Sequence, residues 1–201
     1  PFQYNKGYCW TNAEIPSATW SITYKLQISQ GTGGGGFGLW FVDRFGDSGP
    51  IHGGPSNFKG LGITGTVFTD DESTLQLNVL QNDGNSNYKL QELPTPSQNV
   101  SFDPSKQFTI TIQFLGKKIK VLYSENDQKS PQTVFEFGLT VDIKDNYIGI
   151  TAQSDAYTSR FDLFGITFLL GIDESDNAHS GSSASRQSDE TQHTISKSRT
   201  D

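Results

Sequence analysis

Sulfur is nearly absent from this chain of 201 residues: Cys9 is its one cysteine, and there is no methionine. A lone cysteine excludes an internal disulfide, so the fold must hold by burial and hydrogen bonding alone. Histidine is almost as scarce, with only His52, His179 and His193, which leaves little material for an imidazole metal centre or a catalytic base. Positive charge is in deficit: 15 Lys and Arg against 22 Asp and Glu give a net charge of −7 and a pI near 4.9. That balance argues against nucleic acid or an anionic membrane as the main partner. The one basic concentration, Lys117, Lys118 and Lys120, falls on an expected hairpin and reads as a solvated strand face. No apolar run reaches the roughly 20 residues that a membrane helix requires. The longest, Phe164 to Ile172, reads as a buried strand. The chain opens at Pro1 with neither an initiator Met nor a leader, and is expected to be a piece of something longer, with any anchor outside it.

Large aliphatic residues run out near the C-terminus. From Asp173 to Asp201 only Ile195 remains among Ser, Thr, Asp, Gln and His. Such a segment cannot bury enough apolar surface to offset its ordering entropy. Residues 1–172 are therefore expected to form one domain and 173–201 a disordered polar tail.

Glycine is plentiful, and its densest stretch runs from Gly31 to Ile63. Gly31, Gly33 and Gly36 satisfy G-x-G-x-x-G literally, but that fingerprint must open a helix. Here it opens Phe37-Gly-Leu-Trp-Phe-Val42, which is aromatic and β-leaning. No Gly-Lys-Ser/Thr follows, which excludes a P-loop as well. The segment is sheet architecture, and the bulk on both faces of 37–42 marks a central strand buried on both sides.

Elsewhere the period is 2 and never a sustained 3.6. Trp20, Ile22, Tyr24, Leu26 and Ile28 share one face. Phe108, Ile110, Ile112 and Phe114 lead through Gly116-Lys117 into Ile119, Val121 and Tyr123, a hairpin pattern. Further strands are expected at 37–42, 60–68, 75–81, 87–92, 133–141, 146–153 and 162–170. About ten strands with Gly, Pro and Asn turns give an all-β sandwich of two antiparallel sheets.

Catalytic arrays are missing. The seven glutamates form no Glu-x-Asp-x-Glu series, whereas paired acids for glycoside hydrolysis on one strand must recur at i, i+2 or i+4. No serine sits in a nucleophile elbow, and Cys9 has no evident base. Thr69-Asp70-Asp71-Glu72 concentrates three carboxylates, which Asp43, Asp47 and Asn57 could join around a hard cation. The spacing matches no calcium-loop motif, so the stretch reads as a solvated turn, with Asp70 and Asp71 the only metal-ligand candidates. Asn99-Val100-Ser101 is a glycosylation sequon.

The order Trp10-Thr11, Trp20-Ser-Ile-Thr-Tyr24, Gly36-Phe-Gly-Leu-Trp-Phe41, Gly49-Pro-Ile-His-Gly53 and Asn57-Phe-Lys-Gly-Leu-Gly-Ile63 resembles the L-type (legume-like) lectin domains of early-secretory cargo receptors. Asn146 to Gln153 and Phe161 to Phe168 are similar to that family's last two strands, and 147–153 with Asn82-Asp83-Gly84 lean toward its fungal members. The resemblance implies a concanavalin A-like jelly roll without enzymatic activity, with the family's N-terminal strand lying before this chain. It implies a domain in the ER–Golgi lumen, tethered by a membrane segment outside the chain, that recognises glycoprotein or protein cargo and high-mannose glycan. The alternative is a lectin-fold protein-interaction module that has lost sugar binding.

Family positions can be transferred one by one. The sugar-binding aspartate falls on Gly35, the first calcium aspartate near Thr66, and the calcium-loop asparagine near Asp70. The histidine and aspartate of the next strand fall near Asn87 and Lys89, and the late Gly-Gly pair falls on Asp155-Ala156, followed by Tyr157. With Gly35 offering only backbone and Lys89 placing a cation where a dication would sit, no cofactor and no calcium are expected. Phe45, His52, Phe58, Tyr88 and Tyr157 are the candidates for stacking on a sugar or partner.

Overall fold

The computed structural model describes residues 5–15, 19–29, 34–44, 49–68, 71–93, 96–125, 130–143, 146–155 and 159–172, with 12–14 and 71–73 described as backbone only. The expected tail, 173–201, lies outside them. Eleven strands occur among the described residues: β1 (Lys6–Glu14), β2 (Trp20–Ser29), β3 (Gly35–Val42), β4 (Lys59–Phe68), β5 (Asp71–Asp83), β6 (Ser97–Ser101), β7 (Phe108–Leu115), β8 (Lys118–Glu125), β9 (Gln132–Gly138), β10 (Tyr147–Ser154) and β11 (Arg160–Leu170). They form two antiparallel sheets, one ordered β1-β10-β3-β4-β5-β6 and the other β11-β2-β7-β8-β9.

The alternation expected on β2 and β7 sends Trp20, Ile22, Tyr24, Ile110 and Ile112 inward against Phe37, Leu39, Phe41, Leu61 and Ile63 of the opposite sheet. Fully burying one such side chain is worth about 1.5–3 kcal/mol, against a β-propensity scale that spans only about 1 kcal/mol. Burial therefore fixes which face turns inward. Trp20 centres an aromatic stack with Phe41, Phe114 and Phe168 at 5.3–5.7 Å. The outward face of the five-stranded sheet keeps hydroxyls, with Thr23 and Thr111 sharing a 2.9 Å hydrogen bond across β2 and β7. Gly116 opens the β7–β8 loop at φ +76°, the left-handed geometry that tight hairpins use. Lys118 of that hairpin lies 3.8 Å from Glu136 on an exposed face, as a solvated strand face predicts.

The central strand β3 is buried along both faces, but its second face is covered by a loop and not by a sheet. Trp40 and Val42 point away from the main core and, with Ile51, Phe58 and Leu80, make a second small cluster under residues 49–58. Trp40 is held there by a 2.8 Å hydrogen bond from its Nε1 to Thr151 Oγ1 and an edge-on contact with Phe58 at 5.3 Å.

Three expectations fail. The apolar run 164–172 forms a strand but not a buried one: β11 is an edge of its sheet, with one neighbour to cover it, and Phe164, Leu169 and Leu170 are exposed. Residues 87–92 are not a strand: 86–89 are irregular and Leu90–Glu92 is a 3₁₀ turn. Tyr88, Leu90 and Leu93 pack on the second cluster as a cover, so their alternation served a lid over β4 and β5. Two strands, β1 and β6, escaped the sequence reading, because both are sheet edges with weak alternation; β6 buries only Val100.

Candidate functional site

The register brings several expected positions to one pole of the six-stranded sheet. Gly35 opens β3 opposite Ser154, the last residue of β10, and opposite Val67 near the end of β4. Asp155 follows directly and is exposed, and Asp71 opens β5 opposite Phe68. Gly35, Asp155 and the facing ends of β4 and β5 therefore converge. Asp70, Ala156, Tyr157, Phe45 and Asp47 lie outside the described residues.

Gly35 has φ +104°, a region that side-chain-bearing residues avoid. A Cβ there would collide with the Gln153 carbonyl oxygen and would sit 3.1 Å from the Asp155 backbone nitrogen. The position expected to lack the family aspartate also has a backbone unsuited to one. Among the described residues the neighbouring strand end carries a carboxylate instead, on Asp155.

Thr66, one step into β4, pairs with Gly36 on the outer face of the sheet. Its hydroxyl shares a 2.7 Å hydrogen bond with His52 Nε2. His52 is 2% exposed, adopts φ +47° and fills the space over Gly36 that a Cβ would need. Burial pushes its pKa down to about 4, with nearby Asp155 pulling weakly the other way, so the ring is neutral at pH 7. The loop that carries His52 is pinned by Gly54 N–H donating to the Ile51 carbonyl at 2.7 Å and by Lys6 Nζ donating to the Gly49 carbonyl at 3.0 Å.

Two features at this pole were missed in the sequence. Phe68 ends β4 with 44% of its surface exposed, a flat apolar platform. Gln153 faces Gly36 across β10 and β3, and its Oε1 is buried without a hydrogen-bond partner. The signal for both was register: each continues an outward-facing alternation whose inner partners are core. His52 and Phe58, read as stacking candidates, are buried at 2% and 1% and cannot contact a ligand; His52 lies under the pole over Gly36, while Phe58 packs on Trp40 in the second cluster. Tyr88 is half-buried, and its hydroxyl donates to the Gln81 carbonyl at 2.7 Å.

Asn87 and Lys89 do not join the site. They follow the Asp83 end of β5, and Leu75 rather than Asp83 faces the pole through Val67. Eight residues of strand separate those ends, about 26 Å. Lys89 instead pairs with Glu92 at 3.2 Å. Asp43 and Asn57 are also remote from Asp71: Asp43 Oδ1 accepts from the Lys59 backbone at 3.1 Å, at the opposite end of β4. Among the described residues no three His, Cys, Asp or Glu side chains gather to hold a metal ion, and no helix is long and apolar enough to cross a membrane.

Comparison with known proteins agrees with this architecture. Residues 2–177 match the model of the legume-like lectin family. A legume lectin-like domain from Entamoeba histolytica superposes with a TM-score of 0.70 at 20% identity, over 85% of this chain and 81% of that one. The VIP36 exoplasmic/lumenal domain, solved with Ca²⁺ and Man3GlcNAc, gives a TM-score of 0.76 at 17% identity, over 86% of this chain and 79% of that one. The Emp47p carbohydrate recognition domain gives 0.65 at 21% identity, over 85% and 80%. At these identities the structural likeness establishes the fold alone. A search of curated proteins found no match.

Proposed function

The chain belongs to the legume-like lectin family, and from that membership we propose that it is a glycan-recognition domain acting in the secretory lumen on glycoprotein cargo, tethered by a segment outside this chain and independent of calcium. The family consists of lectins and not of hydrolases, in keeping with the missing acid array. The observation that carries the reading is the placement of Asp155 against Gly35. A carboxylate and an exposed aromatic at one pole, with β3 between them, offer what a sugar requires: the anion accepts charge-assisted hydrogen bonds from paired hydroxyls, while Phe68 offers an apolar face to the C–H side of the ring. Similarity to VIP36, whose domain was solved with a mannose-containing ligand, favours mannose-rich glycans as the class to test.

Calcium independence is supported by Thr66. Its hydroxyl is already engaged by a neutral imidazole, an arrangement that stiffens the strand end without a dication. A second reading, a protein-interaction module without sugar binding, is favoured by one observation: Gly35 cannot present a side chain to a sugar.

Calorimetric titration with a high-mannose oligosaccharide, in calcium and in EDTA, separates these readings. Binding that survives EDTA and weakens about tenfold or more in Asp155→Asn, as loss of a charged hydrogen bond implies, supports the lectin reading. Silence in every buffer supports the interaction module, and binding only with calcium overturns the metal-free site.

A further inference from the structure

The sequon at Asn99 lies on the candidate site's own face. In β6 the side chain of Val100 turns into the core at 4% exposure, while Asn99 and Ser101 on either side are exposed. Asn99 and Ser101 therefore project together from the outer face. Register then runs in one row across the sheet: Asn99 opposite Gln76, Gln76 opposite Thr66, Thr66 opposite Gly36, and Gly36 opposite Gln153. Three inter-strand steps separate Asn99 from Gly36, about 14 Å, and a fourth reaches the β10 end that carries Asp155, about 19 Å. Among the described residues β6 is also the edge of its sheet, and no described strand lies beyond the asparagine.

We propose that Asn99 carries an N-linked glycan that lies along the outer face toward the Gly35–Asp155 pole and acts as a tethered competitor for that site. This rests on the lumenal, glycan-binding reading above. In the modifying step the Asn99 amide nitrogen bonds to the anomeric carbon of an oligosaccharide carried on a polyprenyl diphosphate. The carbon–oxygen bond to the diphosphate breaks, the diphosphate leaves with the bonding electron pair, and the amide loses one proton. A few linked sugars span 14–19 Å, so the mannose branches of the attached glycan reach the pole. Tethering over so short a span gives an effective concentration in the millimolar range, enough to occupy a weak sugar site in competition with free ligand. The same glycan also screens the unpaired N–H and C=O groups of the β6 edge from pairing with another chain.

The test is secretion of the chain from eukaryotic cells behind a leader peptide, followed by mass analysis before and after peptide-N-glycosidase. The expected result is a glycan released from the 97–101 peptide with conversion of Asn99 to aspartate, absent in both Asn99→Gln and Ser101→Ala and retained in Ser101→Thr. Enzymatic removal of the glycan, which needs no mutation, should then tighten binding of a high-mannose glycopeptide about threefold or more, and Ser101→Ala should reproduce the gain. An unmodified Asn99 in the secreted protein overturns the proposal. A modified Asn99 whose removal leaves affinity unchanged overturns the competitor role. If the glycan is present and neither form binds mannose, the lectin reading falls and the competitor role falls with it, while the modification itself stands.

Discussion

His52 occupies the space that any side chain at residue 36 would fill, so the glycine of β3 and the histidine of the 49–58 loop are two halves of one fitting. The ring lies over Gly36, binds Thr66 at 2.7 Å and stays neutral because burial lowers its pKa to about 4. The glycine-rich strand thereby accepts a loop on the outer face of its sheet.

That arrangement predicts acid sensitivity of known sign. In the unfolded chain His52 regains its ordinary pKa of 6.5, while in the fold it stays near 4. Between those values the unfolded state binds more protons, so stability is lost as pH falls through that window. The nearby charges are Asp155, which opposes the shift, and Lys6, which anchors the loop at Gly49. The loss attributable to His52 approaches ~3 kcal/mol at pH 4. His52→Asn keeps a residue that tolerates left-handed backbone and should flatten the pH dependence relative to the parent. Thermal melts from pH 7 to pH 4 check this, and parallel curves for both proteins would exclude the mechanism.

Restoring the family's sugar-binding aspartate should not restore calcium-dependent mannose binding. Gly35→Asp forces a side chain onto φ +104° and against the Gln153 carbonyl, a backbone cost of about 1–3 kcal/mol before any contact is counted. The expected outcome is a lower melting temperature and no gain of calcium-dependent mannose binding. A stable variant that binds mannose only with calcium would refute the geometry assigned to this pole.

The core was readable in the sequence because one physical rule governs it: alternating side chains on β2, β7 and β8 have a single buried face. The site was only partly readable. Gly35 and Asp155 are 120 positions apart, and only strand register makes them neighbours. Asn87 was misplaced because its alternating neighbours suit a strand equally well as a cover over Trp40 and Leu80. Phe68 and Gln153 went unnoticed because nothing local separates an outward strand residue at this pole from any other outward strand residue.

Hydroxyls on the two sheets should differ in worth. Thr151 is 1% exposed and accepts the buried Trp40 indole N–H at 2.8 Å. Thr151→Val strands that donor and should cost about 1–3 kcal/mol. The Thr23–Thr111 pair lies on the half-buried outer face of the other sheet, where water can replace the lost partner, so Thr23→Val should stay within about 0.5 kcal/mol. Urea denaturation of the two variants decides it, and equal losses would contradict the difference.

Metal removal provides the sharpest check on how the pole is held together. A protein that binds an ion only when folded gains about 2.7 kcal/mol at a concentration 100 times its dissociation constant, which millimolar calcium supplies for any site tighter than about 10 µM. Here the strand end that would present the first ligand is tied to His52, and Asn87 and Lys89 follow the Asp83 end of β5, some 26 Å of strand beyond the pole-facing Leu75. Only Asp155 offers a described carboxylate at that pole, too few oxygens for an ion that takes six to eight. The melting temperature should therefore be the same in millimolar calcium and in EDTA. A rise of several degrees with calcium, abolished in Asp155→Asn, would show that the β4–β5 connection completes a cation site after all and that the His52–Thr66 bond does not replace it.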